Sequence, residues 1–117
     1  MLFSGSGLKV FLAVGETDMR KSINGLSILV SEYFDKDPFS GHLFVFCNRR
    51  RTILKILYWD LNGFCLWHKR LEKERFRWPS SEDEIKEINS RELLRLIDGL
   101  DLYQPLAHKR QFYKHVS

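Results

Sequence analysis

The stretch HLFVFCNRRRTILKILYWDLNGFCLWHKRL, residues 42–71, decides the fold. It holds three runs rich in Phe, Val, Ile, Leu, Tyr and Trp: His42–Cys47, Thr52–Trp59 and Phe64–Leu71. Runs of that composition suit a pleated, half-buried backbone. Two short polar breaks part them, Asn48-Arg49-Arg50-Arg51 and Asp60-Leu61-Asn62-Gly63. Connections so short make consecutive strands antiparallel neighbours. Asn62 and Gly63 are expected to supply the positive φ of the second turn. A short fourth strand, Arg75-Phe76-Arg77-Trp78, is expected next, closed by Pro79.

On the amino-terminal side, Leu8–Val14 reads as a strand that ends at Gly15. A helix is expected after it, with Thr17 or Asp18 as the N-cap. Its apolar face is Ile23, Leu26, Leu29, Val30 and Phe34, which recur at helical spacing. Gly25 lies inside that helix, where the lack of a side chain would permit close packing on the sheet. Asp35-Lys36-Asp37-Pro38 ends it, because the residue before proline avoids the helical region. On the carboxyl side, Ile85–Ile88 fits a short strand. Asn89 with Glu92 has the spacing of a capping box. Leu93, Leu94, Ile97 and Leu100 then mark a short amphipathic helix that Gly99 would close. The expected architecture is α+β: an antiparallel β-meander, one principal helix after the first strand, and a short C-terminal helix. Residues 1–105 form one domain, and 106–117 a basic tail.

Composition narrows the function. The 117 residues are 44% hydrophobic and 29% charged, an ordinary globular balance for one domain. The net charge of +4 is unevenly spread. Residues 1–79 carry 13 Lys and Arg against 8 Asp and Glu, residues 80–105 carry 3 against 7, and the last twelve carry 3 basic residues and no acid. Such a distribution suits polyanionic or charged protein partners. No apolar run approaches the roughly 18 residues of a membrane span, and the first residues lack the basic start of a signal peptide. Cys47 and Cys65 sit in apolar strands and read as free, buried thiols, which fits a cytoplasmic protein.

Gly15-Glu16-Thr17-Asp18-Met19-Arg20-Lys21-Ser22 follows a strand and opens a helix, as a phosphate-binding loop does. Its second glycine is replaced by Arg20, whose side chain would crowd the cradle, and Glu16 and Asp18 would repel phosphate. No nucleotide or other cofactor is therefore expected. Arg20 and Lys21 are instead expected on the first helical turn, facing a partner. Arg49, Arg50 and Arg51 would project together from a hairpin tip, and guanidinium groups bind phosphates in bidentate fashion. Arg75 and Arg77 alternate with Phe76 and Trp78, which puts the arginines on one face of an extended chain. With Lys69 and Arg70 on the neighbouring strand, they would form a basic patch suited to backbone contact with nucleic acid. Trp59, Trp67 and Trp78 read as core. The four histidines lack metal-ligand spacing, and no serine sits in a nucleophile elbow. Asp18, Asp60, Lys21 and Lys55 are the residues a small metal-dependent nuclease would have to use, and their spacing does not require it.

Assembled, these strings resemble a known family. They are Gly15-x-Thr17-Asp18-Met19-Arg20-Lys21, Pro38 through Arg51, Lys55-Ile56-Leu57-Tyr58-Trp59-Asp60-x-Asn62-Gly63-Phe64, Leu66-Trp67-x-Lys69-Arg70-Leu71-Glu72 and Arg75-Phe76-x-Trp78-Pro79. The chain is similar over residues 7 to 100 to the small TnpB-type accessory proteins of bacterial insertion-sequence family sixty-six. The resemblance implies a non-catalytic factor needed for transposition, encoded beside a separate DDE-type transposase that would be its partner. It supplies no catalytic, metal or cofactor residues. Contact with DNA, with the transposase, or with both would follow. A protein-binding adaptor without DNA contact, using the acidic 82–92 segment and the late helix, and a small nuclease are the alternatives.

Overall fold

The computed structural model describes residues 7–99. Five strands, β1 Val10–Ala13, β2 Leu43–Cys47, β3 Ile53–Asp60, β4 Gly63–Arg70 and β5 Ile85–Ile88, form one sheet in the order β4-β3-β2-β1-β5. The β2-β3-β4 meander is antiparallel, with Phe44 opposite Leu57 and Leu57 opposite Leu66. β1 lies beside β2 and parallel to it. The intervening helix makes the crossover that a parallel pair requires. β5 closes the other edge, antiparallel to β1. The two helices are α1 (Ile23–Ile28, continued by a wider π turn over Leu29–Tyr33) and α2 (Ser90–Ile97).

Alternation along the strands feeds two apolar layers. On one face Leu26 and Val30 of α1 pack with Phe11, Ala13, Phe44, Phe46 and Leu57. On the other, Leu93, Leu96 and Ile97 of α2 meet Val10, Leu12, Val45, Cys47, Leu54 and Ile56. The sheet is therefore covered on both faces, which accounts for the uninterrupted apolar runs of β1 and β2. Trp67 and Trp78 are half-buried against the α2 layer. Cys47 is buried and Cys65 half-buried, both as free thiols. Burial pushes the Cys47 thiol up to about 11, so it is a poor nucleophile.

The capping box of α2 forms as its spacing indicates. The Asn89 side chain accepts from the Glu92 amide at 2.8 Å, and the Glu92 carboxylate accepts from the Asn89 amide at 3.0 Å. Gly99, at φ +80, ends the helix with its N–H on the Leu96 carbonyl. Leu100 and the expected boundary between domain and tail at 105/106 lie outside the described residues.

Four expectations need correction. Arg75–Trp78 is not a strand of the sheet; β4 is the edge, and residues 71–79 run along the α2 face instead. The expected alternation survives, since Phe76 is buried and Arg75 and Arg77 are exposed. The principal helix starts at Ile23 rather than after Thr17 or Asp18. Thr17 is buried with its N–H on the Cys47 carbonyl, and the Asp18 carboxylate is taken by Arg20. Gly25 faces the Lys21 stem rather than the sheet; an added Cβ would stand 3.2 Å from Lys21 Cβ and Cγ. In the β3–β4 turn the positive φ falls on Leu61, at +52, and not on Asn62 or Gly63.

Candidate functional site

β1 and β2 are parallel, so the loops that leave them, Gly15–Ser22 and Asn48–Arg51, emerge at the same end of the sheet. The carboxyl ends of adjacent parallel strands are a common location for binding sites in sheets flanked by helices. The two loops are tied together. Thr17 N–H donates to the Cys47 carbonyl at 2.8 Å, and the Arg49 guanidinium stands 3.9 Å from the Glu16 carboxylate. A cleft of about 500 Å³ opens between them, lined by Glu16, Thr17, Asp18, Met19, Asn48, Arg49 and Arg50.

Each loop has an internal organiser. Asn48 folds the hairpin, its Oδ1 accepting from the amides of Thr52 and Ile53, both at 2.9 Å. Lys55, on β3, is only 8% exposed and reaches under the first loop. Its Nζ donates to the carbonyls of Met19 at 2.8 Å and Lys21 at 3.0 Å. Within that loop Asp18 clamps Arg20, accepting from its amide and its guanidinium. The hydrogen bonds from Arg20 hold the Asp18 carboxyl down at about 2. A depressed carboxylate contributes above its unfolded value and is lost as pH falls through the folded one. The clamp therefore persists until pH approaches 2.

The arginines expected to act together divide into two groups. Arg49 and Arg50 are exposed at the tip. Arg51 is half-buried at φ +61, and its guanidinium donates to the carbonyls of Asn48 and Val14. It also lies 5.5 Å from the centre of the Trp78 ring, whose Nε1 donates to the Ala13 carbonyl. The Arg51 carbonyl accepts from Phe76 N–H at 2.7 Å. Arg51 is thus a fastener rather than a third exposed charge. The same hydrogen bond brings Arg75 and Arg77 alongside the tip, on the solvent side of a segment anchored by Phe76 and Trp78.

Arg51→Ala is accordingly expected to cost about 1–3 kcal/mol, because it takes the guanidinium from the carbonyl of buried Val14, while the Asn48 carbonyl keeps the residue 51 amide. Arg49→Ala and Arg50→Ala should stay within about 0.5 kcal/mol, as exposed substitutions do. Chemical denaturation of the three variants checks this ordering.

Lys69 and Arg70 do not join the patch as expected. Adjacent residues of β4, they point to opposite faces of the sheet. Lys69 Nζ donates to the Ile97 carbonyl at the end of α2, and Arg70 pairs with Glu72 at 2.9 Å. Asp18 and Asp60 stand at opposite ends of the sheet, since Asp18 follows the residue bonded to Cys47 while Asp60 ends β3 beyond its pairing with β2. The acids a nuclease would need do not converge. Among the described residues no helix is long and apolar enough to cross a membrane. The sequence offered no signal for the anchoring role of Arg51; for Lys55 the one signal was a lone lysine inside an apolar strand.

Fold and site define a small α+β domain: a sheet covered on both faces, carrying two interlocked, arginine-bearing loops at one end. The chain belongs to the IS66 Orf2 like protein family, whose profile matches residues 8–107. Two proteins of Sinorhizobium fredii (strain NBRC 101917 / NGR234) are similar to it. Uncharacterized protein y4hO is 40% identical over 105 residues, covering 90% of this chain and 91% of its own. Uncharacterized protein y4jC is 35% identical over 101 residues, covering 86% of each chain. No solved structure matches the chain.

Proposed function

We propose that this protein is a non-catalytic accessory factor in transposition of its insertion sequence, and that it holds DNA by ionic contact with the backbone while engaging the element's transposase, of DDE type. Membership of the Orf2-like family supports the role in transposition. The observation that carries the DNA contact is the Phe76–Arg51 hydrogen bond, which sets Arg75 and Arg77 beside Arg49 and Arg50. Lys21 is exposed on the neighbouring loop, while Arg20 and Arg70 pair with neighbouring carboxylates and Arg51 and Lys69 donate to backbone carbonyls. Exposed guanidinium groups suit phosphates and carry no base preference, and the loose Arg49–Glu16 pair at 3.9 Å would yield to a phosphate. The acidic segment fits an adaptor less well, because Glu92 is committed to the α2 cap and Ile85–Ile88 to the sheet edge.

The test is the salt dependence of duplex binding. Each phosphate contact contributes about 0.9 to the slope of log K against log salt, so replacing Arg49, Arg50, Arg75 and Arg77 by Ala should flatten it by up to about 3.6. An unchanged slope in a folded variant would move the DNA contact elsewhere. Magnesium-dependent cleavage of the duplex by the wild type would reinstate the nuclease reading.

A further inference from the structure

At the end of the sheet opposite the arginine-bearing loops, Phe39, Trp59 and Phe64 form a closed aromatic triad with centroids 5.0–5.1 Å apart. Phe39 is 57% exposed, and Leu61, at the tip of the β3–β4 turn, is 91% exposed. Leu61 also holds φ +52, with the Asn62 N–H on the Asp60 carbonyl across it. A branched apolar residue is a poor choice for that backbone, which Gly or Asn adopts at lower cost. Folding favours neither the exposure nor the conformation of this side chain. A strained position with no structural benefit points to a functional constraint, and large apolar side chains exposed at the same end of the sheet to an interaction site.

The surroundings specify the occupant. Asp60 adjoins Leu61, and Asp37 accepts from the Phe39 amide at 2.9 Å; both are exposed. Carboxylates at the border of an aromatic patch repel nucleic acid and favour a protein surface with basic residues around an apolar socket. We infer that this apolar pole docks a protein partner, with Leu61 as the knob and the triad as its platform. The protein would thereby bridge a partner at one end of its sheet to DNA at the other. This rests on the accessory reading above, in which the partner is the transposase.

The experiment uses the full chain and the purified transposase of the same element. Leu61→Gly removes the knob and relieves the backbone. It should melt no lower than wild type and keep the DNA salt slope, yet bind the transposase at least tenfold more weakly and fail to support transposition of a marked element. Leu61→Met should restore binding. Wild-type transposase affinity in Leu61→Gly would overturn the docking site. So would a Leu61-dependent dimer in sedimentation without transposase binding, which would make the occupant a second copy. Failure here leaves the arginine variants' salt slope intact, and failure of the DNA reading leaves the Leu61 result intact.

Discussion

Replacing Leu57 by Ala is expected to cost the fold about 2–5 kcal/mol, the range for a large-to-small change in a closed core. Leu57 is fully buried at the centre of β3, between Phe44 on β2 and Leu66 on β4. It belongs to the layer under α1, with Leu26 and Val30. Neighbours on both sides are fixed by sheet hydrogen bonds, so the layer cannot collapse into the space left behind. Both lost burial and an open cavity then contribute. A fall in the urea midpoint at unchanged slope is the expected observation. In a transposition assay this variant should fail through loss of folded protein. The Arg49, Arg50, Arg75, Arg77 variant should fail while folded, and a melting curve beside each count separates the two causes.

Lys55→Met is expected to destabilise by about 1–3 kcal/mol, because it removes the two hydrogen bonds that a buried ammonium makes to the Met19 and Lys21 carbonyls. Methionine nearly matches the volume, so the packing against α1 is kept and the hydrogen bonds alone are removed. The carbonyls of Met19 and Lys21 then face an apolar side chain. The effect should also reach the site, because those two residues flank Arg20 and the whole Gly15–Ser22 loop leans on Lys55. Amide hydrogen exchange in residues 15–22 should accelerate by more than the global loss of stability explains. Exchange that rises uniformly over the molecule would show Lys55 to be a packing residue only.

The meander was legible because its strands are long, apolar and joined by short polar turns, all of them local signals. The α2 cap was legible for the same reason, since Asn89 and Glu92 are three residues apart and meet through the backbone of a single turn. The start of α1 was not. Thr17 and Asp18 have the chemistry of N-caps, but a strand 30 residues away takes the Thr17 amide and a neighbouring guanidinium takes the carboxylate. The fourth strand failed in a similar way. Arg75–Trp78 alternates as a strand should, yet Phe76 and Trp78 pack into the α2 layer instead of extending the sheet.

By itself, then, the sequence determined what nearest neighbours along the chain can decide: most of the elements, the antiparallel meander, the α2 cap, the alternation of arginines with aromatics and the resemblance to its family. Tertiary structure alone decided which arginines stay exposed at the tip. Arg49, Arg50 and Arg51 are equivalent by composition, and only a Trp78 ring and a Val14 carbonyl brought from distant parts of the chain make the third a fastener. Charge is a property of the residue, but its availability depends on which acceptors the fold places within about 3 Å of it.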